Sequence, residues 1–175
     1  MAPQSRHLIL KEGPIFLVAD EQGNVGGTTG AGSVSSPGGT GLYYQDTRYL
    51  SLLTPLLCGK PPLPLGEARS EGYINTLRYS NPALSLPGGI TLPAHAIYLE
   101  RTRFINGGLH ERLLITSYHP TTVSADVSVD VWADFRDIFD IRGFFKADCG
   151  EILPPVLDWH TVTLSYRGLD RATRS

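Results

Sequence analysis

Val123-Ser124-Ala125-Asp126-Val127-Ser128-Val129-Asp130-Val131-Trp132 alternates apolar and polar residues over its whole length. In an extended chain alternate side chains share a face. Val123, Ala125, Val127, Val129 and Val131 therefore line one side, and Ser124, Asp126, Ser128, Asp130 and Trp132 the other. This is the pattern of a half-buried antiparallel strand with one wet face. Just upstream, Ala96 to Ile105 reads as a long strand, with Ile97, Leu99, Arg101, Arg103 and Ile105 facing one way. Asn106-Gly107-Gly108 is hairpin-turn chemistry, and Leu109 to Tyr118 is the return strand.

Further out, the same signals recur. Tyr73 to Tyr79, Arg48 to Leu57 and Pro14 to Asp20 read as strands, separated by turns such as Gly59-Lys60-Pro61-Pro62 and Asn81-Pro82. Downstream, Thr161 to Tyr166 places Val162, Leu164 and Tyr166 on one face. No long window has helical periodicity. The exception is Ala133 to Gly143, where Asp134, Asp137 and Asp140 recur every third residue, which predicts a short helical or 3₁₀ turn. Together these segments predict an all-β fold, a large antiparallel β-sandwich of the supersandwich kind, with at most short helical turns.

The chain of 175 residues is expected to form one domain, residues 1–175. It is long enough to bury a core without disulfides or metals. Residues 23–40 lie in a Gly/Ser/Thr-rich tract, with eight glycines between Gly23 and Gly41. Such a composition buries too little apolar surface to offset its ordering entropy, so it reads as a flexible loop. The formal net charge of −2 comes without a basic run, which argues against nucleic acid as a partner. No apolar run is long enough to span a membrane. Leu8 to Leu10 is too short for the core of a signal peptide, so the default location is cytoplasmic. Cys58 and Cys149 lie far apart and make no framework; whether they pair stays open.

Gly41-Leu42-Tyr43-Tyr44-Gln45-Asp46-Thr47-Arg48-Tyr49-Leu50-Ser51 sets one carboxylate and one guanidinium among aromatics. In an extended strand Asp46 and Arg48 share a face and pair, locking the strand or facing a neighbouring domain. Asp134, Asp137 and Arg142 form a second set at a strand end. Paired carboxylates are the tools of glycosidases, yet Arg136 and Arg142 are interleaved with these, so a charge-paired turn is the plainer reading. Trp132, on the polar face of its strand, is the residue on which a sugar ring would stack. Other motifs fail. The glycine tract lacks the ending of a P-loop and the spacing of a dinucleotide site. His110-Glu111 has Leu114 where a zinc-protease motif needs its second histidine, and no other His or Cys pair has metal spacing. Ala68-Arg69-Ser70-Glu71-Gly72 lacks the first glycine of a nucleophile elbow.

Several stretches in order resemble one family: Leu10 to Val18, Gly41 to Ser51, Arg101-Thr102-Arg103-Phe104, Gly108 to Leu113, Ala133 to Gly143, and Ser165 to Asp170. They resemble the N-terminal domain of bacterial-type glycogen debranching enzymes, the amylo-α-1,6-glucosidase-like proteins. The strongest motifs are Tyr44-Gln45-Asp46-Thr47-Arg48-Tyr49-Leu50-Ser51 and Asp134-Phe135-Arg136-Asp137-Ile138-Phe139-Asp140-Ile141-Arg142-Gly143. Asp140 stands where the family more usually has Glu, and the glycine tract is longer than its pattern. The resemblance implies a β-sandwich whose catalytic carboxylates lie on a following helical toroid. The expectation is therefore a non-catalytic domain, truncated at its C-terminal end, with no catalytic residue, cofactor or metal of its own. Its expected partner is a glycosidase toroid, domain or separate chain, whose mouth it helps shape. Self-association through an exposed sheet edge and binding of α-glucan are the other partnerships considered. Two rival readings are a stand-alone α-glucan-binding module led by Trp132 and a glycosidase using Asp134 and Asp137.

Overall fold

The computed structural model describes residues 7–29, 33–35, 39–66, 68–86, 89–144 and 150–175. Cys149 and parts of the glycine tract lie outside these residues, and with Cys149 the question of a disulfide to Cys58. In chain order the first strands are β1 (Leu8–Glu12), β2 (Ile15–Ala19), β3 (Gly27–Thr29), β4 (Ser33–Ser35), β5 (Gly41–Tyr44), β6 (Thr47–Leu50) and β7 (Leu52–Leu57). Next come β8 (Leu63–Pro64), β9 (Arg69–Ser70), β10 (Ile74–Ser80), β11 (Leu84–Ser85), β12 (Thr91–Leu92), β13 (Ile97–Ile105), β14 (Leu109–Ser117) and β15 (Val127–Trp132). The short helix α1 (Ile138–Ile141) follows, then β16 (Glu151–Ile152), β17 (Val156–Asp158), β18 (Thr161–Thr163), β19 (Tyr166–Arg167) and β20 (Thr173–Arg174). The fold is all-β, as the alternating patterns predict, and α1 is the helical turn expected between Ala133 and Gly143. No helix among the described residues is long and apolar enough to cross a membrane.

Two sheets carry the core. One has the order β1-β2-β5-β6; the other runs β14-β13-β10-β8, with β9 also paired to β10. All pairings are antiparallel. The long β13–β14 hairpin turns at Asn106-Gly107-Gly108, as read from the sequence, with Gly107 at φ +65. The Gly107 N–H donates to Glu12 Oε2 at 2.9 Å, tying the turn to the end of β1. Leu10, Leu17 and Ala19 of the first sheet share a hydrophobic cluster with Ile105 of the second and with Val25. A second cluster gathers Leu57, Leu77, Tyr79, Leu84, Leu92, Ile97 and Leu99.

The segment Arg48 to Leu57, read as one strand, is two. The chain breaks at Ser51, whose N–H donates to Trp132 O at 2.8 Å. β6 belongs to the first sheet, whereas β7 pairs with β15 in a separate ladder. The physical reason is a corner: a strand that changes sheets must bend, and buried Ser51 supplies a small residue there. The glycine tract contains a β3–β4 ladder, and Val25 at its start is buried and bridges Leu53 through two backbone hydrogen bonds of 3.1 and 3.0 Å. The regular strand β15 begins only at Val127, and its valine face is not covered there. Val127 and Val129 are 43% and 47% exposed, since alternation marks the apolar face of a strand without supplying a layer to cover it.

The inward face of β13 buries Ile97, Leu99, Arg101, Arg103 and Ile105, the set expected on one face. Two of these five are cations. Arg101 and Arg103 are 0% exposed and lie between the two apolar clusters. Both share one carboxylate, Glu111 of β14. Arg103 Nε donates to Oε2 at 2.6 Å, and Arg101 Nε lies 2.8 Å from Oε1, near enough for charge pairing but off the hydrogen-bonding line. Removing one partner of a buried ion pair leaves an uncompensated charge and costs ~3–5 kcal/mol. Glu111→Leu strands two guanidinium groups and is expected to lower stability by about that amount in urea unfolding. Arg103→Leu leaves a balanced Arg101–Glu111 pair and should cost less. Equal costs, or the reverse order, would show that the carboxylate is not what stabilises the cations.

Candidate functional site

The stretch from Gly41 to Ser51 is a hairpin, not one extended strand. β5 and β6 pair with Tyr44 opposite Thr47, so Gln45 and Asp46 form the turn, Gln45 at φ +52. This corrects the expected Asp46–Arg48 pair. A turn between strands points its side chains outward, and Asp46 is exposed while Arg48 is 3% exposed. Arg48 reaches Asp134 instead. Its Nε donates to Oδ1 at 3.0 Å, its Nη2 to Oδ2, and its Nη1 to the carbonyl of Thr40 at 3.0 Å. This is the bidentate fork that guanidinium and carboxylate planes favour. Gly41 makes room for it, since a Cβ there would collide with Arg48 Cδ and come within 2.9 Å of Cγ.

The segment carrying Asp134 is stitched along the same hairpin by its backbone. Arg48 N donates to Arg136 O at 2.9 Å, Ile138 N donates to Asp46 O at 2.8 Å, and Thr47 bridges Asp137. Asp46 thus contributes through its carbonyl. Asp137 caps α1, its Oδ1 accepting from Phe139 N at 2.7 Å. Asp140 is buried and accepts from Arg136 Nε at 2.8 Å. Each of the three aspartates is therefore occupied by its own partner, which is not the arrangement of an acid and a base flanking a bond. Among the described residues no group of three His, Cys, Asp or Glu side chains converges as metal ligands would.

Arg142 ends α1 and is exposed. It lines a cavity of about 360 Å³ together with Phe16, Val18, Tyr43, Ile138 and Ile141. Tyr43 stacks on Phe16 with centroids 4.7 Å apart and donates its hydroxyl to Gly39 O at 2.8 Å. Burial pushes the Tyr43 phenol above its usual range, against the pull of Arg48. Trp132 is half-buried at the end of β15, its carbonyl accepting from Ser51. Behind it Phe135, at φ +51, packs edge-on against Tyr49 and stacks on Tyr166, joining α1's segment to β19. A left-handed backbone is costly for a bulky residue, and nothing in the residue order marks Phe135 as this junction. The group that buried Arg101 and Arg103 form with Glu111 also received no role from the sequence. Its one visible signal was two arginines at alternate positions between Leu99 and Ile105.

Two substitutions separate the observed pairing from the expected one. Asp134→Asn leaves Arg48 buried without its anion, and a loss of ~3–5 kcal/mol is expected in chemical denaturation. Asp46→Asn changes an exposed turn residue and should stay within about 0.5 kcal/mol. A larger loss from Asp46→Asn than from Asp134→Asn would restore the Asp46–Arg48 pair.

Residues 10–175 match the family model described as the N-terminal domain of (some) glycogen debranching enzymes. No curated protein and no solved structure matches the chain. The matched span takes in the β5–β6 hairpin, the Asp134-to-Arg142 segment stitched to it, and the arginine pair of β13. The all-β architecture agrees with the resemblance drawn from those same motifs. This chain belongs to the family of N-terminal domains of glycogen debranching enzymes.

Proposed function

We propose that the domain is non-catalytic and serves by docking onto a glycosidase domain of the helical-toroid type. The supporting observation is the apolar surface of its last segment. The β17–β18 hairpin carries Val156, Leu157 and Val162, with Trp159 at its tip, and all four are exposed, Leu157 at 74% and Trp159 at 93%. A lone two-stranded hairpin is at best marginally stable in water and needs a further layer to pack on. Exposed apolar patches of this kind mark interaction surfaces. Support for a non-catalytic role comes from the aspartates of the Asp134-to-Asp140 segment, which hold Arg48, cap α1 and hold Arg136. Those tasks leave no opposed carboxylate pair there for glycoside hydrolysis.

The purified chain is expected to release no reducing sugar from a branched glucan above a no-protein control. Release that disappears in Asp137→Asn would overturn the non-catalytic reading. Docking is tested by pull-down from native lysate with the tagged chain, bound proteins being identified by mass spectrometry. A stoichiometric glycosidase polypeptide is expected with the wild type and not with Leu157→Asp/Trp159→Asp. Recovery of no glycosidase, or equal recovery with the double variant, would sink the proposed docking surface.

A further inference from the structure

The charges buried on the inward face of β13 do not balance. Arg101 and Arg103 are 0% exposed and share the single carboxylate of Glu111. Arg101 Nη1 and Arg103 Nη1 both donate to the carbonyl of Gly23, the former at 3.1 Å, and Arg101 Nη1 also reaches Asn24 Oδ1 at 3.4 Å. A carbonyl and an amide carry no net charge, so the positive charge of one guanidinium stays uncompensated. Asp20 draws on Arg101 electrostatically, but its Oδ1 accepts from Gln22 N at 2.9 Å and from Asn24 N at 2.7 Å. It makes no ion pair with either arginine among the described residues.

The hydrogen bonds do not balance either. Among the described residues Arg101 Nη2, Arg103 Nη2 and Asn75 Oδ1 are buried with no hydrogen-bond partner. The β10–β13 register sets Asn75 directly opposite Arg103. Both are buried, Asn75 at 1% exposure, so their side chains share the inward face, where opposed Cβ atoms lie about 5 Å apart. The two guanidinium groups converge as well, since both Nη1 atoms reach one carbonyl. Two unused donors and one amide therefore gather in one part of the interior, between the two apolar clusters.

Native interiors rarely leave buried donors unpaired, and a buried charge is tolerated when an opposite charge meets it. We propose that the interior binds a monatomic halide, chloride under ordinary conditions, between the guanidinium groups of Arg101 and Arg103. One negative charge closes the balance. A spherical ion accepts from both Nη2 groups without demanding a direction. Turning the Asn75 amide over replaces its orphaned oxygen with Nδ2, a third donor. A water molecule would accept the same bonds and leave the charge uncompensated. The packing that shuts both arginines off from solvent selects for the smallest anions over sulfate or phosphate. This site is separate from the docking hairpin, and neither proposal depends on the other.

Thermal melting of the purified chain at constant ionic strength, with chloride replacing gluconate, tests the site. For a millimolar site, linkage gives a rise in melting temperature of about 5 °C between about 1 and about 100 mM chloride. Bromide should act like chloride, and crystals soaked in sodium bromide should show an anomalous peak between the two Nη2 groups. Asn75→Asp places a carboxylate opposite Arg103 and supplies the missing charge covalently. It should melt no lower than the wild type in low chloride and lose the chloride response. Arg103→Leu leaves the balanced Arg101–Glu111 pair and should lose the response too. A wild type whose melting is indifferent to chloride, a response equally large in both variants, or a bromide soak without the peak would overturn the assignment, with water as the occupant.

Discussion

A guanidinium group has five N–H donors and no acceptor, so each one placed inside a protein obliges its surroundings to supply oxygens. Among the described residues three are buried. Arg48 is answered by Asp134 and by the Thr40 carbonyl. Arg101 and Arg103 are answered by Glu111 and by the Gly23 carbonyl. Thr40 and Glu111 lie within ten residues of the arginines they meet, but the other two oxygens come from far away in sequence: 86 residues separate Arg48 from Asp134, and 78 separate Arg101 from Gly23. The arginines therefore act as long-range ties between elements that sheet pairing alone does not join.

The ties divide the labour of the molecule. At one end the Arg48–Asp134 fork holds the β5–β6 hairpin against the segment leading into α1, and Ser51 turns the chain from the first sheet to β7 beside it. At the other end the β13 pair separates two apolar clusters and fixes the Asp20-to-Asn24 loop. Apolar packing could fill the same volume, but it could not fix a carbonyl's direction. The use of charge at these positions is accordingly better explained by geometry than by stability.

Acidic residues that look catalytic in sequence can be consumed by such tasks. Asp134, Asp137 and Asp140 recur every third residue because one must face Arg48, one must cap a short helix and one must meet Arg136. In this member of the family the acidic motif holds Arg48, caps α1 and meets Arg136. The exposed hairpin from Val156 to Thr163 and the uncovered valines of β15 show where its own layers stop short of covering apolar surface.

Much of the architecture was legible in residue order. Period-two alternation with turn residues between the segments predicts an all-β fold, and for β13 it names the buried face position by position, because side-chain alternation in a strand is a local property. The Asn106-Gly107-Gly108 turn and the helical turn near Ile138 follow from local chemistry in the same way. The motifs also carried the family. Partner choice was not legible. Asp46 and Arg48 are two residues apart and were expected to pair, but the turn at Gln45-Asp46 turns one outward and the other inward. The burial of Val127 and Val129 was misread as well, since alternation marks which face is apolar and says nothing of whether another layer covers it. The sequence by itself determined strand periodicity, turns and family, because those depend on neighbours a few residues away. Only the tertiary structure decided which oxygen each arginine meets and which apolar face stays bare, because both depend on segments brought together from opposite ends of the chain.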